Sequence, residues 1–422
     1  MTFSSSRTTL FAATGSMAMA SLLLASPEDL VERGNALMQL SRDEMNPKYY
    51  KQAADLYSEA LEIDPENSDA ILGIAWVENS NHNFENGEAW AHKAIEINSE
   101  LADAYSLLGD SQVEHGEYEE AFDNYQRSLD LRPDLASYSR AAHLVWLTGN
   151  RERGMKLMEL AISAGAPHAE NTAWCQSKLS IMLLHAGELK HALRLGTEAA
   201  AHAPKNPLVL ANLGIIKRRL GETETALSLF ERSHQLQPTH ESLSHLYDLY
   251  TEQENTDKAQ KIYEALVSYH RHHHGPIFGL EHPKDGHGHG SHGHHHAPAS
   301  AQLAKFWLDR GLYPELALRE AKNAFHQYPN IESAHTLALA YHKFGQNKNA
   351  ARVMEKALHW TPPLPEIYYH AGLIQKGLGD DSEAQRNFER AVELDPQFNR
   401  PEIPEQEAHL ASSSGTTVAA LH

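Results

Sequence analysis

The spacing of the histidines in this chain predicts metal binding, and it is the most direct indication of a chemical role in the sequence. Of the 29 histidines in 422 residues, eleven lie between residues 270 and 296. They are His270, His272, His273, His274, His282, His287, His289, His292, His294, His295 and His296. Neutral imidazole is a good ligand for zinc, nickel and copper. Because no cysteine and no group of acids accompanies the stretch, we expect a loose site for several divalent ions. The alternative is a low-complexity linker without a metal role.

Other residue types that commonly perform chemistry do not form a catalytic pattern. Cys175 is the only cysteine, so neither an intramolecular disulfide nor a cysteine-based zinc site can form. The glycines at 286, 288 and 290 follow no predicted strand, so they do not indicate a nucleotide-binding loop. We therefore expect a protein that is not an enzyme and that requires no cofactor.

The charge of the chain narrows the class of partner. The formal net charge is −20 at pH 7 and the pI is about 5.8. An acidic surface repels the phosphates of nucleic acid, so we do not expect a nucleic-acid partner.

A 34-residue pattern organises the rest of the chain and must position any functional residue. It is clearest over residues 102–135, where Gly109 and Ala121 are small, Gly116 ends a predicted helix and Tyr125 fills the next turn. Small residues recur at equivalent positions: Ala53, Gly87, Ala121, Gly154, Ala192, Ala226, Ala259, Ala317, Ala350 and Ala384. Such a period is typical of solenoids of helical repeats.

This pattern resembles the tetratricopeptide repeat, over roughly residues 27–396. The resemblance implies an all-α, right-handed α-solenoid of about ten helix–turn–helix units. Units 1–7 are expected at 27–267 and units 8–10 at 300–396, with a histidine-rich flexible insertion at 268–299 and a disordered tail at 397–422. Residues 170–174 and 369–374 are also similar to uncharacterised bacterial exported proteins of this repeat class.

The resemblance also implies a concave groove lined by the first helix of each unit. Mapping the family's inward positions onto this chain places Trp76, Trp146, Trp174 and Tyr369 there, as anchors for a protein or peptide partner. The same mapping includes ten further residues: Ile181, Ile215, Leu373, Asp103, Asp110, Glu241, Asp248, His143, His335 and His342. The alternative is that these aromatic residues pack against one another inside a tight superhelix.

The N-terminal residues 1–26 contain no acid and carry an apolar stretch from Leu10 to Ala20. Together with a cleavage motif at Ala18-Met19-Ala20, this predicts a signal peptide. The chain would then be periplasmic or secreted, with no stable membrane span after signal removal. The alternative is a disordered N-terminus on a cytoplasmic protein.

Two hypotheses about function follow. The first is a non-enzymatic scaffold that binds a protein or peptide in its groove, with a histidine-rich loop that chelates divalent transition metals. The alternative is a metal-handling protein, for storage or delivery, whose repeats dock it on a transporter.

Overall fold

The structure, a computed structural model, describes residues 25–44, 46–274 and 300–398. Within these ranges it consists of twenty α-helices and no β-strand, which confirms the predicted all-α solenoid. Most of the predicted signal peptide, of the histidine-rich stretch and of the predicted tail lies outside the described residues. No helix in the described ranges is long and apolar enough to cross a membrane.

The helices follow one another in ten pairs, each joined by a short turn. Their bounds are α1 (Pro27–Glu44), α2 (Lys48–Ile63), α3 (Ser68–Ser80), α4 (Phe84–Ile97), α5 (Ala102–His115), α6 (Tyr118–Leu131), α7 (Leu135–Leu147), α8 (Arg151–Ala164), α9 (Ala169–His185), α10 (Leu189–His202), α11 (Pro207–Arg219), α12 (Thr223–Leu236), α13 (His240–Glu252), α14 (Thr256–His274), α15 (Ala301–Arg310), α16 (Pro314–Gln327), α17 (Ile331–Lys343), α18 (Asn347–Leu358), α19 (Pro365–Leu378) and α20 (Asp381–Leu394).

The recurring small residues lie where the two helices of a pair cross. Ala121 is fully buried in α6, and a side chain on Gly109 of α5 would place its Cβ 2.5 Å from the ring of Tyr125. Gly116 ends α5 with φ of +77°, a left-handed conformation that favours glycine. The residue types that define the repeat are therefore required by helix crossing and helix termination.

Helices α1 to α14 form a first block and helices α15 to α20 a second block. The second block packs back against the turns of the first. The Tyr328 hydroxyl donates to the backbone oxygen of His82 at 3.0 Å, and the backbone N–H of Ile331 donates to the Tyr118 hydroxyl at 3.0 Å. The Tyr118 ring meets Trp360 edge-on at 5.8 Å between centroids. We call this contact zone between the two blocks the seam.

The seam continues towards the C-terminal end of the described chain. Arg151 donates to the backbone oxygen of Leu394 at 3.4 Å, and Arg219 forms an ion pair with Asp395. Successive turns of the solenoid therefore contact each other, and the inner face of the array is covered along one side instead of forming a fully open groove.

His270 fixes the junction between the two blocks. Its side chain is 0% exposed; its Nε2 lies 2.9 Å from His240 Nδ1 and its Nδ1 lies 3.0 Å from Ser300 Oγ. Helix α14 continues to His274, past residue 267, where the sequence analysis ended the seventh unit. The packed structure thus extends into the first residues of the histidine-rich stretch.

Candidate functional site

A cavity of about 860 Å³ lies between the inner faces of the first helices of the pairs. Its wall is built by α5, α7, α9, α11 and α13 from the first block and by α15, α17 and α19 from the second. His143 and Glu332 line this cavity with exposed side chains, so water reaches its interior. Its volume is in the range of protein pockets that hold a small ligand or a short peptide segment.

Five of the residues mapped to inward positions lie on the cavity wall. They are His143, Trp146, Ile215, Asp248 and His335. They come from three helices of the first block, α7, α11 and α13, and from α17 of the second, so the curvature of the array brings them together.

Trp146 contributes a polar group without a hydrogen-bond partner. Its side chain is 6% exposed, and its indole nitrogen is buried without a partner among the described residues. The ring lies 5.9 Å from that of His185 on the neighbouring first helix. A buried N–H that lacks an acceptor costs about 1–3 kcal/mol, so an acceptor supplied by a ligand would be favourable at this position.

Two of the other predicted anchors are only partly buried and lie apart from the main cavity. Trp76 packs beside Trp90 and lines a smaller recess of about 260 Å³. Trp174 lies against the core around Cys175, with the Lys178 ammonium 5.4 Å from its ring centroid.

Tyr369 is placed in the core rather than on the cavity wall. It is 6% exposed and its ring lies 6.0 Å from Phe388 and 5.8 Å from Phe398. The residues of α19 that line the cavity are instead Pro365, Glu366 and Ile367. In this arrangement Tyr369 packs in the core, which is the alternative that the sequence analysis left open, and its role as a partner anchor stays a prediction.

Two acidic side chains of the cavity wall, Glu114 and Glu332, have raised pKa values, although Glu114 is only partly buried and Glu332 is exposed to solvent in the cavity. Glu114 accepts a hydrogen bond from Asn330 Nδ2 at 3.2 Å, across the seam. Burial, reinforced by the charges of Glu332 and Asp110, raises the pKa of Glu114 to about 7. Burial also raises the pKa of Glu332, although Lys305 opposes the shift. Both carboxylates are thus costly to ionise without a cation.

The basic side chains of the wall already have acidic partners. Lys305 Nζ lies 2.7 Å from Asp309 and 3.0 Å from Glu366. Arg218 lies 3.5 Å from Asp248 and also pairs with Glu252, while Arg219 pairs with Asp395 as described above. These pairs leave the wall near Glu114 and Glu332 with an excess of negative charge.

Four histidines line the cavity: His143 and His335, which the resemblance had placed inward, and His185 and His245, which it had not. Burial lowers the pKa of His245 to about 4 and that of His335 to about 3, and it also lowers the pKa of His185. The pKa of His143 is lowered as well, by the surrounding protein and by the charge of Lys178, although its side chain is open to the cavity. They are therefore neutral at pH 7 and offer hydrogen-bond donors and acceptors to a ligand.

The described residues give limited support for metal ligation by the predicted histidines. His270 uses both ring nitrogens inside the junction described above, so in this arrangement neither nitrogen is directed at an ion. Asp309, Glu366 and His370 have the spacing of a metal site, but Lys305 lies between the two carboxylates. From His272 onwards, the predicted ligands fall outside the side chains that the structure describes.

The relation to known repeats is visible in both blocks. A family model described as Tetratricopeptide repeat matches residues 102–135, 331–363 and 365–398. The chain carries tetratricopeptide repeats. The matched tetratricopeptide repeats correspond to the pairs α5–α6, α17–α18 and α19–α20.

Relatives with tetratricopeptide repeats share part of this chain. Tetratricopeptide repeat-containing protein trd-1 of Caenorhabditis elegans is 28% identical over 142 residues, which is 33% of this chain and 18% of that protein. Small glutamine-rich tetratricopeptide repeat-containing protein 2 of Saccharomyces cerevisiae is 30% identical over 113 residues, or 27% of this chain and 31% of that protein. The chain thus spans less than a third of either relative.

Among solved structures, yeast Tom70 is similar over 92% of this chain and 95% of its own, at 13% identity and a TM-score of 0.40.

Proposed function

We propose that this protein is a non-enzymatic tetratricopeptide scaffold that binds a segment of a partner protein in the cavity between its first helices. The observation that carries the proposal is the cavity itself, whose wall contains Trp146 with an unpartnered N–H, neutral histidines and exposed carboxylates. An extended peptide offers carbonyl acceptors and amide donors that match such a wall. Solenoids of this kind commonly use the face of the first helices for binding.

The one cysteine supports the non-enzymatic part of the proposal. Cys175 is fully buried, and burial raises the pKa of its thiol to about 12. A thiol in that state is not a nucleophile near neutral pH.

Peptide selection tests the proposal. A random heptapeptide display library would be panned against the full chain, and enriched peptides would be measured with Trp146→Phe, which keeps the ring but removes the N–H. We expect about tenfold weaker binding to this variant, since a ligand carbonyl would lose its donor. As a control, Trp90→Phe changes a tryptophan that does not line the cavity. Equal binding to wild type and both variants would count against the cavity as the site.

The alternative, a metal-storing or metal-delivering protein that docks on a transporter, rests on the histidine-rich stretch alone. We keep it as a second proposal because eleven histidines lie within 27 residues. Export to the periplasm or secretion is likewise proposed from the acid-free apolar start of the chain, with the cytoplasm as the alternative. N-terminal sequencing of native protein would distinguish cleavage after Ala20 from an intact start.

A further inference from the structure

We propose that the ligand held in the cavity carries a cationic amine or guanidinium group, from a lysine or arginine side chain, and that Glu114 and Glu332 bind it. This inference rests on the proposed function, since it concerns the same cavity. It adds the chemical class of the ligand and the residues that select it.

The two carboxylates occupy a position between two cavities. Glu114 comes from α5 in the first block and Glu332 from α17 in the second, and the hydrogen bond from Asn330 to Glu114 spans the seam beside them. All three residues line the main cavity and also a second recess of about 300 Å³. A cation at this position would therefore be reached from both spaces and would contact both blocks.

The surroundings of this pair are short of positive charge. The charge of Asp110 on α5 contributes to the raised pKa of Glu114, and that of Glu241 on α13 to the raised pKa of Glu332. Asp110 itself pairs with Arg140 on α7 at 2.9 Å. Lys305 on α15 is the cation that acts on Glu332. Because Lys305 is already paired with two other carboxylates on α15 and α19, it only partly neutralises this group.

A ligand cation would remove the energetic cost of this arrangement. Burial and like charge raise the pKa of Glu114 to about 7, which means that the empty site holds its negative charge at a cost. A bound ammonium or guanidinium favours the ionised form and would form charge-assisted hydrogen bonds with it. Binding should therefore release a proton from Glu114 near neutral pH.

Trp146 favours a peptide over a free polyamine as the source of the cation. Its buried N–H needs an acceptor, and the Trp146 side chain lines the same cavity as both carboxylates. A peptide backbone supplies carbonyl oxygens, whereas a protonated polyamine such as spermidine has donors only. The chemistry of the wall thus matches a basic peptide segment.

The test uses two display libraries with the full chain at about 0.15 M salt, where long-range attraction to the acidic surface is screened. One library fixes lysine or arginine at the central position of a heptapeptide; the other fixes glutamine there and omits basic residues. Enrichment of the first library alone is the expected result. Equal enrichment of both would overturn the cation proposal while leaving peptide binding intact, and enrichment of neither would overturn both.

A matched pair of double variants separates the site from bulk charge. Glu114→Gln with Glu332→Gln should weaken an enriched basic peptide at least tenfold, because charge-assisted hydrogen bonds are lost. Glu62→Gln with Glu96→Gln changes two exposed acids and the net charge equally, and should alter affinity less than twofold. Equal losses in the two variants would contradict the proposal. Circular dichroism of each variant checks that the fold is kept.

Two further readouts use the same protein and peptide. Affinity should rise about tenfold between pH 6 and pH 8, following ionisation of a group that titrates near 7. A flat profile would contradict the role of Glu114.

Spermidine that displaces the peptide would show that a free amine satisfies the carboxylates, and its binding should be unaffected by Trp146→Phe.

Discussion

The Tyr118 hydroxyl accepts a hydrogen bond at 3.0 Å from the backbone N–H of Ile331, 213 residues further along the chain. Tyr118 is 3% exposed and its ring also meets Trp360. A single side chain at the start of α6 thus binds the start of α17 and helps to hold the two blocks together.

We expect Tyr118→Phe to weaken the seam. The change leaves the packing but removes the acceptor of a buried N–H, which should lower the free energy of unfolding by about 1–3 kcal/mol. Hydrogen exchange at Ile331 and its neighbours should accelerate. Tyr105→Phe is the control, because the Tyr105 hydroxyl donates within its own region, to the Ser99 backbone oxygen at 3.2 Å. Equal acceleration at Ile331 in both variants would contradict the assignment.

Glu114 should make stability fall as the pH rises. Its pKa is about 7 in the folded protein, from burial and nearby acids, and near 4.5 when unfolded, so the folded state binds the extra proton between these values. Glu114→Gln should therefore stabilise the protein at pH 8 by about 2 kcal/mol and progressively less towards pH 5. Denaturant unfolding at pH 5 and pH 8 measures this, and a pH-independent difference would argue against it.

His335 should have the opposite effect on the pH dependence of stability: it should make the protein less stable as the pH falls. Burial lowers its pKa to about 3, and its Nε2 lies 2.8 Å from His370 Nδ1. In the unfolded chain the His335 side chain binds a proton near pH 6.5, whereas in the folded chain it stays neutral at that pH. The free energy of unfolding therefore decreases as the pH falls below 6.5. His335 should contribute about 2 kcal/mol of this loss between pH 7 and pH 5.

His335→Asn should make that pH dependence shallower even if the variant is less stable overall. His191→Asn, on an exposed histidine, should leave the slope unchanged. Melting curves between pH 5 and pH 7 give the slopes, and the same slope in wild type and His335→Asn would refute the assignment.

The histidine-rich stretch should bind more than one divalent transition ion. Calorimetry with zinc and nickel would compare the intact chain with a variant in which residues 275–299 are replaced by a short glycine-serine linker. His270 is kept because it joins α13 to the start of α15. We expect uptake by the intact chain to fall away below about pH 6.5, since imidazole must be deprotonated to bind. Equal uptake by both proteins would end the metal proposal.

The repeat register was predictable because it is local. Residues such as Gly109 and Tyr125 meet across one turn, so their spacing along the chain fixes their contact. The seam was not predictable in this way, since Tyr118 and Ile331 each look like ordinary repeat residues. Only the accumulated curvature of several units brings them together.

The residues of the cavity likewise divide into those that the sequence predicted and those that it did not. Trp146 and His335 were placed inward by the resemblance and do line it, whereas Tyr369 was placed inward and packs against Phe388. The paired carboxylates Glu114 and Glu332 gave no sequence signal, because each is an ordinary surface acid until the second block covers the first.

Photo-crosslinking is the measurement that tests the central claim most directly. An enriched heptapeptide carrying a benzophenone group would be irradiated with the full chain, and the attached residues identified by mass spectrometry. We expect attachment to the first helices around the cavity, especially α7, α11 and α17, and its loss when unlabelled peptide competes. Attachment confined to the outer surfaces of second helices, for example around the exposed Leu160 of α8, would contradict binding in the cavity.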